Sequence, residues 1–335
     1  MMPEDVAKLC YQAAMGAEHL ITDISRARSY FDAEFKEVTA RDCPLYEKIS
    51  DDVARIDLGA WKARALPEEW LFNLFYASAC PRIDGRAKLA ELLAEAEEAL
   101  SGAKRVFSDS EWADFVKSYT EMGMPAIHHS AFYRKYEKPS YRIVDARFLH
   151  IIPILEELSR KKRDVTVISI DGRAASGKTT VADMLVAAVD AAVVRMDDFF
   201  LPSSLRSDER LAETGGNIHY ERFISEVLPV LRGGEPFEYG IFDCSSMAIS
   251  SKRFVKSGKI RLVEGSYSQH PRFGDYADVR VFVTVSPETQ SERILSRNGE
   301  RFAKLFAEKW IPMEEKYFDA FSIEKNSHIT VNTDK

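Results

Sequence analysis

Cysteine is scarce in this chain, and where it occurs it forms no pattern. Cys10, Cys43, Cys80 and Cys244 stand far apart in 335 residues, with no C-x-x-C pair. That spacing supports neither a zinc site nor a disulfide framework, and it leads us to expect a reduced, cytoplasmic setting. An excess of positive charge is also lacking: 46 Lys and Arg face 53 Asp and Glu, for a net charge of −7. Binding nucleic acid by general electrostatics is therefore disfavoured. No apolar run approaches the ~18 residues of a membrane span. The N-terminus carries Glu4 and Asp5 where a secretory leader would be basic and then apolar. The expectation is a protein with no signal peptide, no membrane partner and no nucleic-acid partner. His128-His129 has no Asp, Glu or Cys nearby at ligand spacing, so no metal site is expected there. Internal repeats and low-complexity tracts are absent.

What is present suffices for two ordinary cores: 45% of the residues are hydrophobic. The sequence changes character near Ser159-Arg-Lys-Lys-Arg-Asp164. Before that point it reads as helices. Residues 4 to 30 carry apolar positions at helical spacing through Val6, Leu9, Cys10, Ala13, Ala17 and Leu20. Pro67 opens a second helix with two acids at its positive end. Arg86 to Leu100 is a third, stopped by Ser101-Gly102, and Ser110 to Met122 is a fourth, capped by Ser108 or Asp109. Pro139 to Val144 reads as an extended link. Asp145 to Lys161 reads as a helix leading to the junction, with Pro153 kinking it or ending part of it. Residues 1 to 144 are thus expected to form a mainly α-helical domain, and 145 to 335 a second domain. The first is left with two candidate roles, a homo-oligomer contact or a cover over an acceptor site.

Residues 172 to 179 read Gly-Arg-Ala-Ala-Ser-Gly-Lys-Thr, a complete G-x-x-x-x-G-K-[ST] phosphate-binding loop. Its flanks supply the required context. Val165 to Ile170 is a β-branched run fit for a buried strand, and Thr180 to Val189 continues at helical spacing. Glycines let backbone N–H groups turn inward around a polyphosphate, Lys178 brings a mobile positive charge, and the Thr179 hydroxyl suits Mg²⁺. Gly172, Ala174, Ala175, Ser176, Gly177, Lys178, Thr179 and Thr180 are the expected nucleotide contacts. Downstream, strands at 191–196, 259–264, 279–285 and 328–331 alternate with helices at about 220–231, 287–297 and 302–321. This rhythm implies α/β architecture, a parallel sheet with helices on both faces. Ligands on such sheets sit at the carboxyl ends of the strands, where the loop, Asp197 and Glu264 all fall.

Residue types at that edge suit phosphoryl transfer. Glu264 is placed to meet Mg²⁺ directly or through water. Asp197 is placed to accept a hydroxyl proton, with its neighbour Asp198 competing for the role. Arg293 and Arg297 share a helix face, and Arg301 follows a break at Asn298-Gly299. A segment bearing these arginines would close over a triphosphate and neutralise its charge. The plainer reading is a solvated basic face paired with Glu292 and Glu300.

Together these residues resemble the uridine kinase and phosphoribulokinase-like group of P-loop kinases. The similarity rests on Ile168-Ser-Ile-Asp-Gly-Arg-Ala-Ala-Ser-Gly-Lys-Thr-Thr180, Met196-Asp-Asp-Phe-Phe200, Val263-Glu-Gly-Ser-Tyr267, the arginines near 293 to 301, and Trp310-Ile-Pro-Met-Glu-Glu-Lys-Tyr317. The resemblance implies a P-loop NTPase sheet of order 2-3-1-4-5 with a mobile lid, and it implies ATP and Mg²⁺ as cofactors. It also implies Asp197 as catalytic base beside Lys178, Arg297 and Arg301, and a small-molecule acceptor. The acceptor segments depart from the group. Where it carries Asp-His-Pro-Asp, this chain reads Gly216-Asn-Ile-His-Tyr-Glu-Arg-Phe223. Where it carries Pro-x-Tyr-Asp, this chain reads Phe237-Glu-Tyr-Gly-Ile-Phe-Asp243. His219, Tyr239, Asp243 and Tyr267 are the candidates left for lining an acceptor pocket, and the acceptor is expected to be a nucleoside or another small polar metabolite. Two other functions stay open from sequence: a nucleotide-sensing switch working through the helical domain, and a simple NTPase.

Overall fold

The chain divides into two units, Met1–Leu149 and His150–Lys335. The computed structural model describes residues 1–17, 20–21, 23–79, 85–100, 106–243 and 245–334. Cys80, Cys244 and the expected helix stop at Ser101-Gly102 lie outside the described residues.

In the first unit the run expected from 4 to 30 is two helices, Pro3–Met15 and Ile24–Glu37. Gly16 ends the first of them. Val6, Cys10, Ala13 and Ala17 are buried as the spacing predicts, but Leu9 and Leu20 are 37% and 39% exposed. Glu68–Ala77 begins after Pro67 as expected. Gly85–Leu100 packs its buried Leu89 and Leu93 in one cluster with Val6, Cys10 and Trp112. Asp109–Glu121 is capped by Ser108, which exchanges hydrogen bonds with Glu111 in a capping box. The helices do not account for the whole unit. Strands β1 (Tyr46–Lys48), β2 (Val53–Asp57) and β3 (Tyr141–Asp145) form an antiparallel sheet in that order. The segment read as an extended link is therefore mostly β3. It pairs with β2, and Ile143 and Val144 are buried there.

In the second unit a five-stranded parallel sheet is built from β4 (Thr166–Gly172), β5 (Ala192–Arg195), β8 (Ile260–Glu264), β9 (Val279–Thr284) and β10 (Ile329–Asn332). Its order is β10-β9-β4-β8-β5. Counted along the chain from the β5 edge, that is 2-3-1-4-5, as the resemblance implied. β4 is central and buried at every position, which is why it reads as a continuous β-branched run and not as an alternation. Outside this sheet, β6 (Phe237–Asp243) and β7 (Ala248–Val255) form an antiparallel hairpin. The expected junction helix splits into a 3₁₀ segment, Ala146–Ile151, and a helix, Ile152–Ser159, with Pro153 in its first turn. The helix expected from 220 to 231 splits at Val227 into Tyr220–Glu226 and Leu228–Leu231, because Pro229 lacks the N–H to continue it. Pro287–Leu305 breaks from helical geometry at Gly299 (φ 75°), at the expected Asn298-Gly299 break. A π-turn, Phe306–Trp310, then leads into Ile311–Phe321. Among the described residues no helix is long and apolar enough to cross a membrane.

Candidate active site

The phosphate loop hangs between β4 and the helix Lys178–Val189. Ala175 (φ 54°) and Gly177 (φ 90°) are left-handed, and right- and left-handed residues in succession turn N–H groups toward one concave side. The first N–H groups of the following helix have no carbonyl partner within it, so they too face an anion placed there. The loop's carbonyls are held from behind. Gln290 Nε2 donates to Ala174 O at 2.9 Å, Arg293 Nη1 to Ala175 O at 3.3 Å, and Thr333 Oγ1 to Ser176 O at 2.7 Å. With three successive carbonyls secured, the loop cannot flip its peptides without breaking side-chain bonds. Lys178 Nζ lies across the loop and donates to Gly172 O and Arg173 O, both at 2.8 Å. Ser176 Oγ is buried without a partner. Inward N–H groups, a lysine across the loop and an orphaned hydroxyl fit a polyphosphate. Arg293 turns out to brace this loop and also bonds Thr333, so it belongs neither to a solvated face nor to a phosphate-sensing lid.

Thr179 and Glu264, distant in sequence, meet at the ends of neighbouring elements. Thr179 Oγ1 donates to Glu264 Oε1 at 2.9 Å, and Glu264 Oε2 pairs with Arg195 Nη1 at 3.0 Å. Burial pushes the Glu264 carboxyl upward and the Asp197 charge adds to it. The Thr179 hydroxyl, Arg195 and Lys178 oppose that rise. A hydroxyl beside a carboxylate is a hard oxygen donor set suited to Mg²⁺. No group of three or more His, Cys, Asp or Glu among the described residues forms a metal cage. A metal here would complete its shell with phosphate oxygens and water.

Asp197 sits just past β5, on the 3₁₀ turn Met196–Phe199. Asp197 is exposed as a residue, yet protein surrounds its carboxyl closely enough that loss of bulk solvation raises its pKa. Asp198 raises it further, while Lys178, Arg195 and Arg297 pull it down. The phosphate-loop lysine, the strand-end glutamate and this aspartate thus feel one another's charge. Asp198 points elsewhere. It accepts from Tyr239 OH at 3.0 Å and from Arg253 Nε at 2.6 Å, which ties the turn to the β6–β7 hairpin. The competition between the two acids is resolved by geometry: one is bonded to the fold and the other is free to meet a ligand.

The expected acceptor residues fare differently. Tyr239 is buried, stacks on Phe199, and uses its hydroxyl on Asp198 and Arg195 N, so it holds the hairpin and does not face a ligand. His219 caps the helix Tyr220–Glu226, its Nδ1 accepting from Arg222 N. Asp243 closes a turn with Ser245 and Ser246, whose hydrogen bonds hold its pKa down to about 2. Tyr267 is buried with φ 70°, packs on Tyr317 and donates its N–H to Asp171. All four are engaged with the fold. Arg297 is exposed and near enough to Asp197 to lower its pKa. Arg301 is exposed beyond the Gly299 break.

Two buried carboxylates at the loop escaped the sequence reading. Asp171 precedes the loop and accepts from Gly172 N, Tyr267 N, Gln269 N and Tyr317 OH, at 2.8 to 3.1 Å. An acid closing an otherwise apolar strand was the available signal. Glu314 lies in the helix after the π-turn; it accepts from Ala174 N at 2.8 Å and from Ser266 Oγ at 2.7 Å. Nothing in Glu314-Glu315 marks the first as buried, since either acid fits a helix surface. Glu314→Gln offers an N–H₂ to one of two donors, leaving a buried donor unpaired at about 1–3 kcal/mol. We expect weaker nucleotide binding and a lower Tm, read by titration and thermal unfolding, whereas the neighbouring, more exposed Glu315→Gln changes nucleotide affinity little.

No family model matches the chain. The chloroplastic uridine/cytidine kinase UKL1 of Arabidopsis thaliana is 26% identical over 142 residues, 39% of this chain and 29% of that protein. The match thus spans less than a third of that relative's length. A solved structure described as a possible uridine kinase from Bacillus stearothermophilus aligns with a TM-score of 0.42 at 19% identity, covering 56% of this chain and 97% of that one. The C-terminal half of the chain carries a phosphate-binding loop on a 2-3-1-4-5 parallel sheet with acids at its strand ends, and over part of its length it is similar in sequence to a uridine/cytidine kinase.

Proposed function

We propose that the C-terminal unit transfers the γ-phosphoryl group of ATP, with Mg²⁺, to a hydroxyl of a small metabolite of nucleoside type. The observation that carries this reading is the convergence of Lys178, Glu264 and Asp197 at one sheet edge. Lys178 and the loop N–H groups would hold the β and γ phosphates. Thr179 and Glu264 would hold Mg²⁺, which when bound neutralises phosphate charge. Asp197 would accept the proton of the acceptor hydroxyl as its oxygen bonds to the γ phosphorus and the bond to the β–γ bridging oxygen breaks, releasing ADP. Arg297, close enough to lower the Asp197 pKa, and Arg301 would supply guanidinium groups to the charge spreading over the transferred group. The nucleoside assignment draws on the resemblance to a uridine/cytidine kinase and on the strand-end Asp-Asp-Phe-Phe.

A screen of nucleosides and small alcohols with ATP and Mg²⁺, read by mass, tests this. One acceptor should gain a phosphate, and Lys178→Ala should slow its formation by about 10²-fold or more. Phosphate release at the same rate with and without every acceptor would replace the kinase reading by a simple NTPase.

The electrostatics also predict a pH profile. The base works only when ionised, and its pKa is raised by loss of bulk solvation beside the surrounding protein and by Asp198, against Lys178, Arg195 and Arg297. As pH falls, kcat/KM should therefore decline at a higher pH than an ordinary aspartate, near ~3.9, would give. An acid limb at or below that ordinary value would remove Asp197 from the base role.

A further inference from the structure

Arg195 ends β5, just before the turn that carries Asp197. Parallel register sets it beside Glu264, its Cα partner on β8, and partners in such a ladder share a sheet face. Thr179 and Asp183 lie four apart on the helix Lys178–Val189 and share one of its faces. The four side chains close a ring. Thr179 Oγ1 donates to Glu264 Oε1 at 2.9 Å, Arg195 Nη1 to Glu264 Oε2 at 3.0 Å, and Arg195 Nη2 to Asp183 Oδ1 at 3.3 Å. The backbone of Arg195 is held as well, its N–H donating to Tyr239 OH at 3.0 Å.

Burial differs around the ring. The Glu264 side chain is 6% exposed, Arg195 31% and Asp183 61%. One Glu264 oxygen is engaged by Thr179 and the other by Arg195. A buried carboxylate that loses its charged partner must turn to another group or give up its charge. The guanidinium fork reaches both acids at once, which the single centre of a lysine ammonium cannot do in a fixed geometry. A threonine hydroxyl has one proton and two lone pairs. With the proton on Glu264, the Thr179 lone pairs are left for a cation.

We propose that Arg195 is a positioning residue for the metal: it fixes the Glu264 carboxylate and, through it, the Thr179 hydroxyl. The inference rests on the reading that these two groups serve Mg²⁺, and it adds the side chain that sets their geometry. Partners standing one hydrogen bond behind a metal's ligands are worth about 10–100-fold in metal affinity.

The test is the gain in nucleotide affinity that Mg²⁺ brings. A non-hydrolysable ATP analogue is titrated calorimetrically into the full chain in excess Mg²⁺ and again in EDTA. The ratio of the two affinities should fall about tenfold in Arg195→Met. It should fall about threefold in Arg195→Lys, which keeps the charge and loses the fork, and in Asp183→Ala, which frees the outer arm of the fork. A residue that merely holds the fold would change both affinities alike and leave the ratio as it was. A guanidinium that merely repels the cation would, once removed, raise the ratio. Either result overturns the proposal. If both Arg195 variants fail to fold, Asp183→Ala, at an exposed position, decides. No gain from Mg²⁺ in the unmodified chain would remove the metal reading and this inference with it, whereas a gain that survives intact in Arg195→Met removes this inference alone.

Discussion

Asp197→Asn is expected to lower kcat by about 10²–10⁴ while leaving ATP affinity within about twofold. The substitution keeps shape and removes only the ability to take a proton. Asp198 cannot stand in, because both its oxygens are engaged by Tyr239 and Arg253. The same variant should unfold at an equal or higher temperature at neutral pH. The sign follows from the raised pKa. Ionising this carboxyl costs more in the folded chain than in the unfolded one. Stability is therefore lost as pH rises from the unfolded value through the folded one, and Asn removes that loss. Nucleotide titration, steady-state kinetics and thermal unfolding of one variant read all three effects. Loss of ATP binding together with turnover would instead make Asp197 part of the nucleotide cradle.

Gly172→Ala is expected to destabilise the second unit by about 3 kcal/mol or more, whereas Gly177→Ala costs about 1 kcal/mol. Both glycines have positive φ, 142° and 90°. They differ in what a methyl group would meet. At Gly172 it would lie 2.0 Å from Val283 O, a backbone atom of the neighbouring strand that cannot swing away. At Gly177 the nearest atom is in the Thr333 side chain at 3.8 Å, so only the backbone strain remains. Gly172 is thus required by sheet packing and Gly177 by loop conformation. Chemical unfolding of both variants separates the two, and equal losses would contradict the distinction.

What was legible in the sequence follows from how far each signal reaches along the chain. The phosphate loop, its strand and its helix are contiguous, so local spacing sufficed. The parallel strands carry continuous apolar runs because both faces are covered. Asp197 and Glu264 could be placed because strand ends converge by a rule of α/β topology. The N-terminal sheet was not legible: β1 has three residues and β2 five, and β3 joins β2 across more than 80 intervening residues. The residues that hold the loop, Gln290, Arg293, Glu314 and Thr333, reach it from 116 to 157 positions away, and their residue types suit a helix surface or a chain end equally well. Whether Tyr239 and His219 line a pocket or hold the fold could not be told from sequence, because a buried structural hydroxyl and a capping imidazole look the same there as functional ones.

The central claim is that the loop lysine and the strand-end aspartate act on one reacting phosphate, and a double-mutant cycle on kcat/KM tests it most directly. If they act as a unit, Lys178→Ala with Asp197→Asn should lose no more than about tenfold beyond the worse single variant. Losses that multiply in full, as for two sites that never share a transition state, would contradict it.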